Sequence, residues 1–331
     1  MKCLSFLLIW CACLDLQAQS KPVESYKEVL MIMGTRFKVT ATATDRAIAM
    51  KAVRAGIAEM ERIEALISSW KPDSQTTAIN RNAGVEPVAV DLELYNLIYR
   101  AKKISRLTNG AFDISFAVMD RIYEFDRKEK TLPDSVTLAE AIKKIDWTKI
   151  ILDPNTHSVF LQESGMKIGF GAIGKGYAAN RAKALMEKMD GVIGGVVNAS
   201  GDLIVWGENG TDSGWKVQIS DPKNIEQSMA WLELKNTAIV TSGDYEKYFT
   251  SQGKRYAHII NPKTGLPSTG IKSVTIICPD TELADALATS VFVLGAEKGM
   301  ELINKLNGVE GLLITDADEM LTSDQLILNK I

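Results

Sequence analysis

Three groups of residues have the types and spacing to do chemistry. The first is the stretch 166–180, MKIGFGAIGKGYAAN. Gly169, Gly171 and Gly174 spell G-x-G-x-x-G, and Gly169 to Lys175 spell G-x-x-x-x-G-K, a dinucleotide fingerprint and most of a P-loop in one run. Glycines let backbone approach a polyphosphate, and a following helix offers N–H groups and the positive end of its dipole. Both familiar versions break on a detail. Gly176 stands where a P-loop needs Ser or Thr for magnesium, and Asp190 and Asp202 fall early and late for a ribose contact. A tightly packed strand-to-helix turn without a ligand is the alternative. The second group is Asp285 and Thr289, four apart on an otherwise apolar helix predicted over 284–294, so that both oxygens share one face. That pair suits a hard cation such as Mg2+, or is an ordinary solvent-facing pair near a helix N-terminus. The third is His258, at the end of a strand that breaks into Asn261-Pro262 and Thr264-Gly265, where it is either an acid/base group or a structural residue.

The elements that must position these residues follow from periodicity. Residues 29–43 alternate like two strands around Met33-Gly34-Thr35. Thr44 or Asp45 caps a long helix with Met50, Val53, Ile57, Met60 and Ile67 inward, ending at Ser68-Ser69-Trp70-Lys71-Pro72. Trp70 there either stacks on an aromatic ligand or plugs a core edge. A second helix over 91–107 stops at Thr108-Asn109-Gly110, and Ala111-Phe112-Asp113 then presents an aromatic and a carboxylate on an exposed loop. A third helix is predicted over 135–144, and a hairpin joins 149–152 to 158–162, with His157 an exposed turn residue. From Lys175 an apolar face through Tyr177, Ala178, Ala182, Leu185, Met186 and Met189 predicts the helix that the glycine run feeds. After it come short strands at 192–198, 203–206, 215–219, 229–234 and 237–240 rather than further strand–helix–strand units, which argues for antiparallel pairing. The expected fold class is α+β: antiparallel sheets packed with helices in one compact domain, with room for two lobes.

At 331 residues the chain can bury a sizeable core, and its net charge of −3 supplies no basic surplus for nucleic acid. Lys2, the apolar run from Cys3 to Leu14 and the small residues Ala18 and Ser20 read as a signal peptide over 1–18, too short to span a bilayer and cut after Ala18 or Ser20. Export to the periplasm is the expectation; a lipoprotein cut before Cys11 or Cys13 is the minority reading. Cys278 is the only cysteine beyond that segment, so no intramolecular disulfide can form in the exported chain.

Taken in order, these pieces resemble the FAD:protein FMN transferases of the ApbE family, over about residues 29–294 and within a domain at 27–331. The matching pieces are Met33-Gly34-Thr35, Ser69-Trp70, Gly110-Ala111-Phe112-Asp113, Gly171 to Ala178, Asn198-Ala199-Ser200-Gly201-Asp202, His258 to Gly265, and Ala284-Asp285 with Thr289. The resemblance implies FAD as substrate and Mg2+ as metal. FMN would pass to a Ser or Thr of a target flavoprotein, a subunit of a membrane redox complex, with release of AMP. It implies that Met33, Trp70, Ala111, Phe112, Asp113, Gly169, Lys175 and Ile259 line FAD, that the Ala172 carbonyl, Asp285 and Thr289 hold the metal, and that His258 takes the proton of the incoming hydroxyl. Two departures stand out: many members carry an acidic residue where Gly169 stands, and some a second Asp where Ala288 stands. Hydrolysis of FAD to FMN and AMP at the same site, or flavin binding without chemistry, are the rival functions.

Overall fold

A computed structural model describes residues 23–123, 133–211, 214–221, 224–244, 248–251 and 254–330. The signal peptide expected over residues 1–18 lies outside the described residues. The described chain opens with a hairpin of β1 (Glu24–Ile32) and β2 (Thr35–Ala43), whose turn residues Met33 and Gly34 both take positive φ, 51° and 71°. That pair of left-handed residues matches the twist of the flanking strands. Asp45 caps α1 (Arg46–Ile67) by accepting the Ile48 N–H at 2.9 Å. Then come α2 (Gln75–Arg81), capped by Ser74, a two-residue strand β3 (Val88–Ala89), and α3 (Leu92–Leu107). Asn109 and Gly110 end α3 in left-handed conformation, where Gly110 N–H donates to the Ser105 carbonyl at 2.7 Å. A short 3-10 segment (Ile114–Arg121) leads to α4 (Ser135–Ile142), capped by Asp134, and to the hairpin of β4 (Ile150–Asp153) and β5 (Ser158–Leu161).

The glycine run then feeds α5 (Gly174–Met186), β6 (Val192–Ala199) and β7 (Asp202–Gly207). They are followed by β8 (Trp215–Asp221), β9 (Asn224–Leu234), β10 (Thr237–Gly243), and the small hairpin β11 (Tyr248–Ser251) and β12 (Lys254–Ala257). The chain closes through β13 (Ile271–Cys278), α6 (Thr281–Leu294), α7 (Ala296–Asn304), β14 (Glu310–Thr315), β15 (Met320–Thr322) and β16 (Asn329–Lys330).

Eight strands make the central sheet in the order β1-β2-β6-β7-β10-β13-β14-β15, antiparallel at every pairing. The middle of that sheet is covered on both faces, and the two-residue period of the strands deals side chains to each. On β7, Ile204 and Trp206 join the cluster under α1, α3 and α5, while Leu203 and Val205 join the cluster under the β16-β9-β8 sheet. On β13, Val274, Ile276 and Cys278 pack beneath α6 while Ile277 faces the other way. The α+β expectation with antiparallel pairing therefore holds. One helix boundary does not: α6 begins at Thr281, a turn before the expected Ala284, because Asp280 accepts the Leu283 N–H at 3.0 Å and starts it there.

Candidate active site

In the run 166–176 the glycines make room for close packing more than for open backbone. A Cβ on Gly169 would lie 2.9 Å from Ala117 Cβ, and one on Gly174 would lie 2.9 Å from Ile67 Cδ1. Gly169 is further fixed by its N–H, which donates to the Ile114 carbonyl at 2.9 Å. The absence of an acidic side chain at 169 thus goes with a position that has no space for one as the loop stands. The helix that follows leads into β6, which pairs antiparallel with β2 and β7, so the dinucleotide fingerprint sits outside any parallel crossover.

The strongest constraint comes from Gly176. A Cβ there would stand 2.2 Å from the Thr281 carbonyl oxygen and 2.9 Å from Asp285 Cβ, so α5 and α6 touch through backbone. In this seam Gly176 N–H donates to Asp285 Oδ2 at 3.0 Å. One turn along α5, Asn180 bonds Asp280 Oδ1 at 2.8 Å and accepts the Thr281 N–H at 3.1 Å. The two helices therefore run antiparallel, and the turn of α6 that carries Thr289 lies beyond Asp285 in the direction of the α5 N-terminus and Ala172. Asp285 is buried, which removes the solvent-facing alternative, while Thr289 and Ala172 are half-buried. Seam and core meet at a charged network. Buried Glu282 is gripped by Arg100 at 2.7 and 3.0 Å, and the Arg100 guanidinium lies over the Tyr177 ring. Burial pushes the Glu282 carboxyl up and Arg100 opposes it.

Lys175, in the first turn of α5, forms an ion pair with Asp202 at the start of β7. Asp202 is 1% exposed, so burial pushes its carboxyl up while Lys175 holds it down. Breaking such a buried pair by removing one partner costs about 3–5 kcal/mol.

A second group gathers at the end of α1. Glu64 accepts the Met33 N–H at 2.8 Å through one oxygen and binds Lys71 at 3.0 Å through the other, tying the β1–β2 turn to the segment that carries Trp70. Trp70 is 69% exposed, so it plugs no core edge. It lines a cleft of about 270 Å³ with Ser69, Asn80, Arg81, Asp120 and Lys167. The Asp120 carboxyl keeps an open face, yet the protein atoms crowding it push it up to about 6, against the lowering effect of Lys167.

The third group joins the 110–113 loop to the His258 motif. A Cβ on Gly110 would come within 3.5 Å of Trp147 Nε1 and 3.8 Å of Lys263 Cε, and Tyr123 donates to the Gly265 carbonyl at 2.8 Å. His258 follows directly on β12 and is half-buried; Ile259 is buried in the cluster beneath α6. The turn after them is closed by Gly265 N–H on the Asn261 carbonyl, 2.8 Å, and Lys263 N–H on Asn261 Oδ1, 2.9 Å.

Two expectations are corrected here. Phe112 and Asp113 are not exposed: Phe112 enters the main core, and the Asp113 carboxylate turns inward to cap its own loop. Its Oδ1 accepts the Ser115 N–H at 2.8 Å and the Ser115 hydroxyl at 2.6 Å, and Oδ2 accepts the Trp147 N–H at 3.0 Å. Burial raises this carboxyl and those bonds oppose the rise. His157 is half-buried at φ 49° with its ring 5.6 Å from that of Tyr95 and tilted 59° to it, a turn residue held against an aromatic rather than a fully exposed one. Sequence reasoning missed the roles of Glu64, Asp120 and Asp202. Only Asp202 carried a signal, as the last residue of the Asn198–Asp202 turn.

Set against known proteins, this arrangement has relatives. A model of the ApbE family matches residues 33–313. The chain belongs to the ApbE family. A FAD:protein FMN transferase of Klebsiella pneumoniae is 30% identical over 306 residues, 92% of this chain and 93% of that protein. One of Treponema pallidum is 32% identical over 310 residues, 88% and 85% of the two chains. The crystal structure of the ApbE protein of Thermotoga maritima superposes with a TM-score of 0.83 at 30% identity, covering 91% of this chain and 97% of the other. With that membership the protein is an enzyme of the transferase class.

Proposed function

We propose that this ApbE-family protein moves FMN from FAD to a Ser or Thr hydroxyl of an acceptor protein, releasing AMP, with Mg2+ as its metal. The observation that carries the reading is the glycine seam, which fixes the buried Asp285 carboxylate against the first turn of α5, next in sequence to Lys175. The Asp285 carboxylate, the Thr289 hydroxyl and the Ala172 carbonyl would supply an all-oxygen donor set, the kind that Mg2+ takes in preference to softer metals. When bound, Mg2+ neutralises charge on the pyrophosphate. Lys175 adds its charge at the same helix end. In this reading Trp70 offers its exposed aromatic face to a ring of FAD, and Met33, Ala111, Phe112, Asp113, Gly169 and Ile259 are the further residues assigned to line it. His258 accepts the acceptor's hydroxyl proton as that oxygen attacks the FMN phosphorus. The phosphoanhydride bond then breaks and AMP leaves.

The acceptor class in this proposal is a flavoprotein subunit of a membrane redox complex, met in the periplasm after export. Incubation with FAD, Mg2+ and such an acceptor tests the chemistry. Flavin that stays on the acceptor through denaturation supports transfer; free FMN with AMP would replace it by hydrolysis, and unchanged bound FAD by flavin binding alone. N-terminal sequencing of the exported chain tests the rest: a start at Gln19 or Lys21 is expected, and a lipidated Cys11 or Cys13 would overturn it.

A further inference from the structure

The Lys175–Asp202 pair connects a buried anion to the N-terminus of α5. Asp202 is held there by the turn before it, where Ser200 and Gly201 take positive φ and Gly201 N–H donates to Asn198 Oδ1 at 3.0 Å. Among the described residues, the charged group paired with Asp202 is Lys175 from α5; β10 contributes the Thr241 backbone, Ala199 of β6 stands opposite in register, and α6, which also packs on β7, carries Asp285. The Lys175 side chain keeps 25% of its surface in solvent, whereas that of Asp202 keeps 2%. One ammonium therefore serves a sealed carboxylate while keeping part of its own surface in solvent.

We propose that Asp202 is a positioning residue for Lys175 and takes up one proton when the pyrophosphate of FAD settles beside that ammonium. The proposal rests on the transferase reading above. Water cannot solvate the Asp202 carboxylate, so its charge is tolerated only while Lys175 balances it. An arriving pyrophosphate competes for the same cation and adds negative charge nearby. Protonation of the sealed carboxyl relieves the imbalance, and burial already favours that form. The sign follows. Asp202 titrates at a higher pH in the complex than in the free protein, so between those two values each FAD brings a proton with it. Across that window FAD affinity falls as pH rises, by up to about tenfold per pH unit.

The test is calorimetric titration of FAD into the full chain at saturating Mg2+, in two buffers of different ionisation enthalpy, across the whole pH range over which the protein stays folded, with flavin fluorescence read in parallel. Up to one proton taken up per FAD is expected. Asp202→Asn, a neutral isostere, is expected to bind FAD with an affinity flat in pH, an outcome that a purely structural role would not produce. Histidine also titrates in this range, so His258→Ala is run alongside and is expected to keep the uptake. FAD binding without proton exchange in the unaltered protein would overturn the proposal and leave the transferase reading standing. That measurement decides even if Asp202→Asn does not fold. An unaltered pH slope in a folded Asp202→Asn would also overturn it, and failure to bind FAD at all would overturn both readings.

Discussion

Along the seam between α5 and α6 a side chain is absent so that backbone can meet backbone, whereas in the cleft at the end of α1 side chains stand out into solvent. Gly176 brings the Thr281 carbonyl and Asp285 into contact with the helix start, and nothing there can shift without moving a helix. Trp70, Arg81, Asp120 and Lys167 instead surround open space. The difference reflects what each must hold. Charge neutralisation on a phosphate depends steeply on position, so it is placed where packing removes freedom; a ring can be gripped by a face that reorients. Substitutions in the seam should therefore cost catalysis, and those in the cleft should cost affinity.

The sharpest break comes at Asp285. Asp285→Ala is expected to reduce Mg2+-dependent transfer by about 10³-fold or more, since the metal supplies several kcal/mol of transition-state stabilisation. Thermal unfolding should show a smaller parallel loss, because Gly176 N–H is left without its acceptor. Full activity of a folded Asp285→Ala at low Mg2+ would dissolve the contrast. Next is His258→Ala, expected to lower single-turnover transfer by about 10²-fold or more while FAD affinity stays nearly constant. His157→Ala, at the β4–β5 turn against Tyr95, should leave transfer unchanged. If His258→Ala lost only affinity, the base would have to be one of the carboxylates.

In the cleft, Trp70→Ala should weaken FAD binding by about 0.5–1.5 kcal/mol, a few-fold to about tenfold by fluorescence titration. The melting temperature should barely change, because the indole is already mostly in water. The smallest effect belongs to Asp120. Its carboxyl is pushed up to about 6 from an ordinary value of 3.8, so the folded protein holds more protons than the unfolded chain between those values. Stability contributed by the protonated form is present below about pH 4 and is lost as pH rises through about 6. Asp120→Asn should therefore raise the melting temperature slightly at pH 7 and leave it unchanged near pH 4. A shift at both would assign the effect to packing.

How much of this could be read from the chain depended on range. Asp45 and the Asn109-Gly110 stop announced α1 and the end of α3, since caps and periodicity are local. Met33-Gly34 likewise announced its hairpin. The start of α6 was misplaced because Asp280 carried the cap signal ahead of the apolar run that drew the reading to Ala284. The inward turn of Asp113 was hidden because its third donor, Trp147, lies 34 residues away. The Lys175–Asp202 pair was hidden in the same way: the two residues share no element and no spacing rule joins them. Gly176 disqualified the P-loop on sequence, but what it makes room for was visible only once α6 lay across it.

Cys278 closes β13 beneath α6, where its Sγ lies 3.1 Å from the Asp280 carbonyl. It is buried, and burial pushes its thiol up to about 11. A thiol that is both sealed and fully protonated at neutral pH does not react. Among the described residues it is the only cysteine, so on a chain lacking residues 1–18 a thiol-directed dye should stay dark while the protein is folded. It would light up only when α6 lifts from the sheet, which makes this residue a clock, already in the chain, for how often the helix that carries Asp285 comes away.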